Sequence, residues 1–185
     1  MAAVDQRMVL LMSYYRDAEL RGANLLFRLL SHLDDPDSQT KLSLHLADET
    51  RHAWLWTKRI RDLGGEPVKV GDGYQTRIGL RAVPRDLIDL LALTVVVEER
   101  AFQRYREHAA RPDVDAETLH VLEEVTKDEK WHISWVRNKL EELARERGEE
   151  ERMRAALQRF EEIDRAVYAE LKAKEQAVFG ERGAA

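Results

Sequence analysis

The sequence predicts an all-α protein, a bundle of four long helices with a fifth helix appended at its C-terminal end. Three observations predict it. Apolar residues recur every three to four positions over long stretches, which is the helical period. Glycine and proline are scarce, nine and four in 185 residues, and many of them fall at the breaks in that period. The composition, 44% apolar and 35% charged, suits a water-facing helical domain.

The first helix is expected from about Asp5 to Leu33, with Met8, Met12, Tyr15, Leu26 and Leu33 on its apolar stripe. Glu19 and Gly22 lie on that same stripe, and a carboxylate there is costly unless something satisfies it. Asp34-Asp35-Pro36-Asp37 reads as a turn, and Asp37 or Ser38 is the expected cap of the next helix. The second helix runs to about Leu63 and stops at Gly64-Gly65. Its stripe is Leu42, His45, Glu49, His52 and Trp56.

No helical period is evident from Gly64 to Pro84. So long a connection needs a reason in a compact domain. About twenty extended residues reach ~65 Å, enough to pass along a helix of about twenty-five residues, ~38 Å long. The segment is therefore expected to return the chain to the far end of the bundle. The third helix is expected from Pro84 or Arg85 to about Ala110, with the stripe Leu87, Leu91, Thr94, Glu98 and Tyr105. The fourth is expected from about Asp115 to Arg147, with Leu122, Val125, Glu129, His132, Val136 and Leu140. The expected division is a bundle over residues 1–148 and an amphipathic helix over 149–185. That last helix carries Leu157, Phe160, Ile163, Val167, Leu171 and Val178. It would pack outside the bundle or make an oligomer contact, such as that of a homodimer, with a frayed tail from Gly180 to Ala185.

The chemistry lies in a repeated pentad. Asp48-Glu49-Thr50-Arg51-His52 returns as Asp128-Glu129-Lys130-Trp131-His132. Residues three apart share a helix face, so each pentad presents a carboxylate and an imidazole together, a metal-binding geometry. By chance, about one Glu-x-x-His pair is expected in a chain of this composition. Glu117 and His120 form such a chance pair, off the stripe, with Glu117 in a first turn where the helix dipole favours an acid. Chance does not explain two pairs at mid-helix on the apolar stripe, joined by mid-stripe Glu19 and Glu98. Four helices of similar length would bring these mid-points to one level. Buried together without metal, the carboxylates would repel and protonate. Two divalent cations would remove that conflict.

Neighbouring residues carry two readings each. Glu98 fits the seam better than Glu99, which lies about a hundred degrees round the helix. Asp48 and Asp128 are candidate partners for the second nitrogen of a metal-bound histidine, or plain surface acids. Tyr105 and Tyr15 either hydrogen-bond to a ligand or pack. Gly22, one turn past Glu19, either opens space for a small oxidant or allows close helix packing. His45, one turn before Glu49, is either an extra polar group at the cavity edge or a residue that touches metal. Trp54, Trp56, Trp131 and Trp135 gather around the pentads as core filler.

Bulk properties narrow the functions. A net charge of −5 and a pI near 5.8 give no reason to expect nucleic acid. With no cysteine, thiolate metal sites and a cysteine nucleophile are excluded, leaving histidine and carboxylate for iron or manganese. The longest apolar run, Leu87 to Val97, is too short to span a bilayer. The N-terminus does not read as a signal peptide. No membrane association and a cytoplasmic location are expected.

One Glu, then Glu-x-x-His, one Glu, then Glu-x-x-His on successive helices resembles the ferritin-like di-iron carboxylate superfamily, over about residues 8 to 145. The resemblance implies Glu19, Glu49, His52, Glu98, Glu129 and His132 as ligands of two iron ions, a set that also suits manganese. It reads the Gly64–Pro84 connection as the superfamily's crossover. His132 departs from ferritins proper. Val95, Ala101 and the absence of cysteine depart from rubrerythrins. The short Val97-Glu98-Glu99 stretch, with Tyr105 downstream, is similar to the small demethoxyubiquinone hydroxylases, and the tRNA-modifying di-iron hydroxylases are another small relative. The expected activity is that of a non-haem di-iron oxidoreductase using O₂ or peroxide on a small organic substrate, with an electron-donor protein as partner. The alternative is iron handling, as a ferroxidase or peroxide-detoxifying protein. A helical module without catalysis is the third reading, disfavoured because unpaired buried carboxylates destabilise.

Overall fold

The computed structural model describes residues 4–179. They form α1 (Gln6–Leu30), α2 (Pro36–Asp62), α3 (Tyr74–Arg81), α4 (Leu87–Ala109), α5 (Ala116–Arg147) and α6 (Glu150–Phe179), with no strand among the described residues. The all-α expectation holds. No helix in this range is long and apolar enough to cross a membrane. The tail Gly180–Ala185 and the side chain of Val178 lie outside what is described.

Aspartates set most of the helix starts. Asp5, Asp35, Asp86 and Asp115 accept from the backbone N–H groups of Arg7, Ser38, Asp89 and Thr118. Each such cap contributes about 1 kcal/mol. Two expected starts move accordingly. The second helix is capped by Asp35, not Asp37 or Ser38, because Pro36 suits a first turn where its missing N–H costs nothing. The fourth described helix begins at Leu87 rather than at Pro84 or Arg85, because Asp86 supplies the capping oxygen. Gly148 ends α5 at φ 65°, a left-handed conformation that favours glycine, and lets α6 start two residues later.

The connection after α2 is not structureless: it contains α3. Its Tyr74 and Ile78 are buried, with Ala82 just beyond, at a spacing of four. Tyr74 donates to Asp164 of α6 at 2.7 Å, and Arg81 pairs with Glu170 of the same helix. At the near end of this connection, the Tyr14 hydroxyl of α1 donates to Asp72 at 3.0 Å.

α1 packs on α2 and α4 on α5, while α6 lies mainly along α4. α2 and α5 run antiparallel. Arg59 meets Asp115 near one end of the pair, and Asp48 meets His132 further along. The apolar interior falls into two clusters. One is built around Leu26, Leu42, Leu91, Val136 and Phe160, and the other around Met12, Trp56, Tyr105 and Leu122. On α1, α2, α4 and α5, Glu19, Glu49, Glu98 and Glu129 each lie in sequence between the residues given to the two clusters. A polar layer is thus enclosed by apolar packing above and below. Trp56 and Trp135 are core residues as expected, but Trp54 is 56% exposed. Two positions along a helix is a rotation of about 200°, which turns Trp54 away from the interior that holds Trp56.

Candidate metal centre

Glu19, Glu49, His52, Glu98, Glu129 and His132 are all buried and come together in this layer. Their ligand atoms form two groups, each within 4.8 Å: Glu19, Glu49, His52 and Glu129, and then His45, Glu49, Glu98 and His132. Glu49 belongs to both. Glu129 also spans them, with its two oxygens 3.8 Å from His52 Nδ1 and 3.6 Å from His132 Nδ1. Glu99 stands apart, paired with Arg137 on α5. Glu117 and His120 are exposed and remote in character from the layer.

The two pentads serve each other. Antiparallel register sets Asp48 opposite His132 and Asp128 opposite His52, and both Nε2···Oδ2 distances are 3.2 Å. A carboxylate only accepts, so His132 carries its proton on Nε2, and so does His52 by the shorter of its two Nε2 contacts, Arg51 Nη2 lying further off at 3.4 Å; each keeps a lone pair on Nδ1. That lone pair faces the glutamates. Arg51, the variable position of the first pentad, reaches across to Asp128 and Glu124 and holds Asp128 in place.

The cluster leaves its own polar atoms unmatched. His45 Nε2, Glu49 Oε1, His52 Nδ1, both oxygens of Glu129 and His132 Nδ1 are buried without a hydrogen-bond partner. An unpaired buried polar atom costs about 1–3 kcal/mol, and more when charged. The electrostatics tell the same story. Burial pushes Glu49 and Glu129 well above the usual carboxylate range, and the neighbouring glutamates push them further. Burial also raises Glu19, against the opposing pull of His52 and the Tyr105 hydroxyl. His132 is driven down by burial and by the nearby imidazoles. A divalent cation would reverse each of these penalties at once, and carboxylate oxygens with imidazole nitrogens suit iron or manganese. The residues fit a pair of metal ions.

Several supporting contacts were only half visible in the sequence. Tyr105 donates a short hydrogen bond to Glu19 Oε1. Its ring stacks on Trp56 at 5.7 Å and meets Tyr15 edge-on at 5.1 Å. Tyr15 in turn lies 3.2 Å from His108 Nδ1, beside a cavity of about 660 Å³ that Arg104 and Tyr168 also line. Burial and the Arg111 charge hold His108 at a pKa of about 4, so it is neutral near pH 7. The room beside Gly22 is taken by the Glu49 carboxylate and not left for an oxidant: a Cβ there would come within 2.5 Å of Glu49 Oε2. His45 is not at the edge of the cluster but inside it, fully buried, 3.3 Å from Glu49 and 3.4 Å from Glu98. Its position one turn before Glu49, on the same stripe, was the available signal.

No protein-family model matches this chain, and no curated protein matches it either. What the site does must therefore be argued from its own geometry.

Proposed function

We propose that the protein is a non-haem di-iron oxidoreductase of the ferritin-like kind, acting with O₂ or peroxide on a small organic substrate. The observation that carries this reading is the convergence of buried carboxylates and imidazoles from four helices into two groups that share Glu49, with atoms of Glu49, His52, Glu129 and His132 left without a hydrogen-bond partner. The direction of the helices supports it. Tyr105 reaches Glu19, and Tyr15 reaches His108, so α1 and α4 run antiparallel. With α1 also antiparallel to α2, where Arg16 meets Thr57 and Gln39 meets Leu30, helices α2 and α4 share a direction. A connection between them must cross the bundle, as the ferritin-like plan requires.

In this reading Glu19, Glu49, His52, Glu98, Glu129 and His132 would hold the two metal ions, Glu49 being common to both groups of ligand atoms. Bound iron would supply Lewis acidity and electrons for reducing the oxidant. The chain's own residues do the rest. Asp48 and Asp128 fix the histidine tautomers and turn each Nδ1 inward. Tyr105 holds one oxygen of Glu19 and leaves the other for metal. Gly22 keeps the place of the Glu49 carboxylate clear. The apolar clusters on both sides exclude bulk water, which strengthens every charge interaction within.

The test is anaerobic loading with Fe(II), followed by exposure to air. Two irons per chain and a new near-ultraviolet and visible absorption are expected. A chain that binds no iron would remove the proposal. Ferroxidation is the neighbouring reading, in which Fe(II) is itself the reductant. It predicts repeated turnover with added Fe(II) alone, whereas the oxidoreductase reading predicts a single oxidation until an external donor is added.

A further inference from the structure

Three imidazoles enter the polar layer, and they are not wired alike. His52 and His132 face carboxylates with Nε2, so each proton is on Nε2 and each Nδ1 is free to bind a cation. His45 has the opposite arrangement. Its Nδ1 lies 3.1 Å from Trp135 Nε1, which donates to it. An indole N–H only donates, so His45 Nδ1 must be the acceptor and cannot carry a proton. A neutral imidazole has one N–H, and here it is on Nε2. That nitrogen faces Glu49 Oε1 at 3.3 Å and Glu98 Oε1 at 3.4 Å. It lies within 3.4 Å of both oxygens and completes a hydrogen bond with neither. A protonated ring nitrogen has no lone pair for a metal.

We infer that His45 is a positioning residue and not a ligand: Trp135 fixes its tautomer, and its Nε2–H is shared by Glu49 and Glu98. The function of this arrangement rests on the dinuclear site proposed above, whereas the tautomer rests on the Trp135 contact alone. The centre then takes two imidazoles, one from each pentad, although three lie within reach. The two groups of ligand atoms are also unequal: the Nε2–H of His45 lies beside Glu49 and Glu98, whereas the Tyr105 hydroxyl donates to Glu19. His45 has a second way of acting on the site. Its ring stacks on that of His132 at 3.6 Å and 21°, so it also buttresses a ligand.

The experiment is nitrogen NMR of the full chain labelled with ¹⁵N-histidine, first metal-free and then with two equivalents of Zn(II). His45 is expected to show a protonated Nε2 and an acceptor Nδ1 in both states, while the Nδ1 signals of His52 and His132 move on adding zinc. An unprotonated His45 Nε2 in the metal-free chain, or loss of its proton on zinc binding, overturns the inference. If no zinc binds, the proposed metal site fails, and the metal-free spectrum still decides the tautomer. Substitutions give a second readout. His45→Leu should weaken zinc binding about 10-fold or more and still saturate at two per chain. His45→Gln, which restores an N–H donor, should recover most of that affinity. Saturation of His45→Leu at one zinc, the outcome expected of His132→Leu, would mark His45 as a ligand and sink the inference.

Discussion

Buried carboxylates lie on two sides of α4, and the fold treats them oppositely. On the side facing α6, every one is answered by a cation. Asp89 is fully buried between Arg85 and Arg159, at 3.1 and 2.9 Å. Asp164 accepts from Arg100 at 2.9 and 2.5 Å and from the Tyr74 hydroxyl. Burial pushes Asp89 up, but the Arg159 and Arg85 contacts outweigh it and leave its pKa below the ordinary value. On the inner side, Glu19, Glu49, Glu98 and Glu129 are met by histidines and, at Glu19, by the Tyr105 hydroxyl, with no Lys or Arg pairing to them among the described residues. Glu49 and Glu129 are accordingly driven the other way. The chain has arginines to spare and uses them wherever a buried acid serves the fold. Leaving them out of the inner layer is what a site kept for an exogenous cation requires.

The largest expected effect tests the paired side. Arg100→Met strands Asp164 in the α4–α6 interface and should cost about 3–5 kcal/mol in urea unfolding. The double substitution Arg100→Met with Asp164→Leu should recover most of it, since an apolar pair of similar size replaces the ion pair. Added metal should do nothing specific for Arg100→Met beyond what it does for the parent chain. The next effect tests the inner side. Free Zn(II) at a hundredfold excess over its Kd should stabilise the chain by about 2.7 kcal/mol, and a chelator should reverse that. A melting temperature that ignores zinc would mean the unpaired acids are not a cation site.

The sequence made one side of this contrast legible and hid the other. Glu19, Glu49, Glu98 and Glu129 stand out because each interrupts an apolar stripe at mid-helix, and periodicity is a property of one helix at a time. Asp89 interrupts the apolar run of its helix just as plainly, but of its two arginines one, Arg159, lies on α6, seventy residues away. Pairing between helices depends on register, which no single stripe records. For the same reason the crossing of Asp48 to His132 and of Asp128 to His52 could not be read, although both aspartates stood in view. His45 was visible as a polar residue on the stripe, and its orientation depends on Trp135 of α5. α3 was lost for a different cause. Eight residues hold two turns of helix, too few for a period to outweigh Gly71 and Gly73 beside it.

A smaller effect separates folding from binding inside the layer. Glu129→Gln removes a buried acid whose two oxygens have no partner. The metal-free variant should be more stable than the parent by on the order of 1 kcal/mol. The same variant should lose most of its stabilisation by zinc, so the two melting curves cross as metal is added. A Glu129→Gln chain that is less stable without metal and equally responsive with it would show that Glu129 serves the core.

The smallest effect comes from an acid that neither arginine nor metal needs to answer. Asp35 caps α2, and the Ser38 backbone N–H, 2.9 Å away, is the main cause that holds its pKa at about 2. Asp35→Ala should cost about 1 kcal/mol at neutral pH. The sign of its pH dependence follows from the lowered pKa. The unfolded chain takes up this proton near pH 4, and the folded chain does so only near pH 2. The contribution is therefore complete above pH ~4 and disappears as the pH falls toward 2. Parent and variant should converge over that interval in thermal unfolding, with or without zinc. A gap that persists at pH 2 would mean that the variant lost packing and not a charged cap. A gap that depends on zinc would tie the end of α2 to the metal layer, and the separation between structural and metal-binding acids would fail at its simplest point.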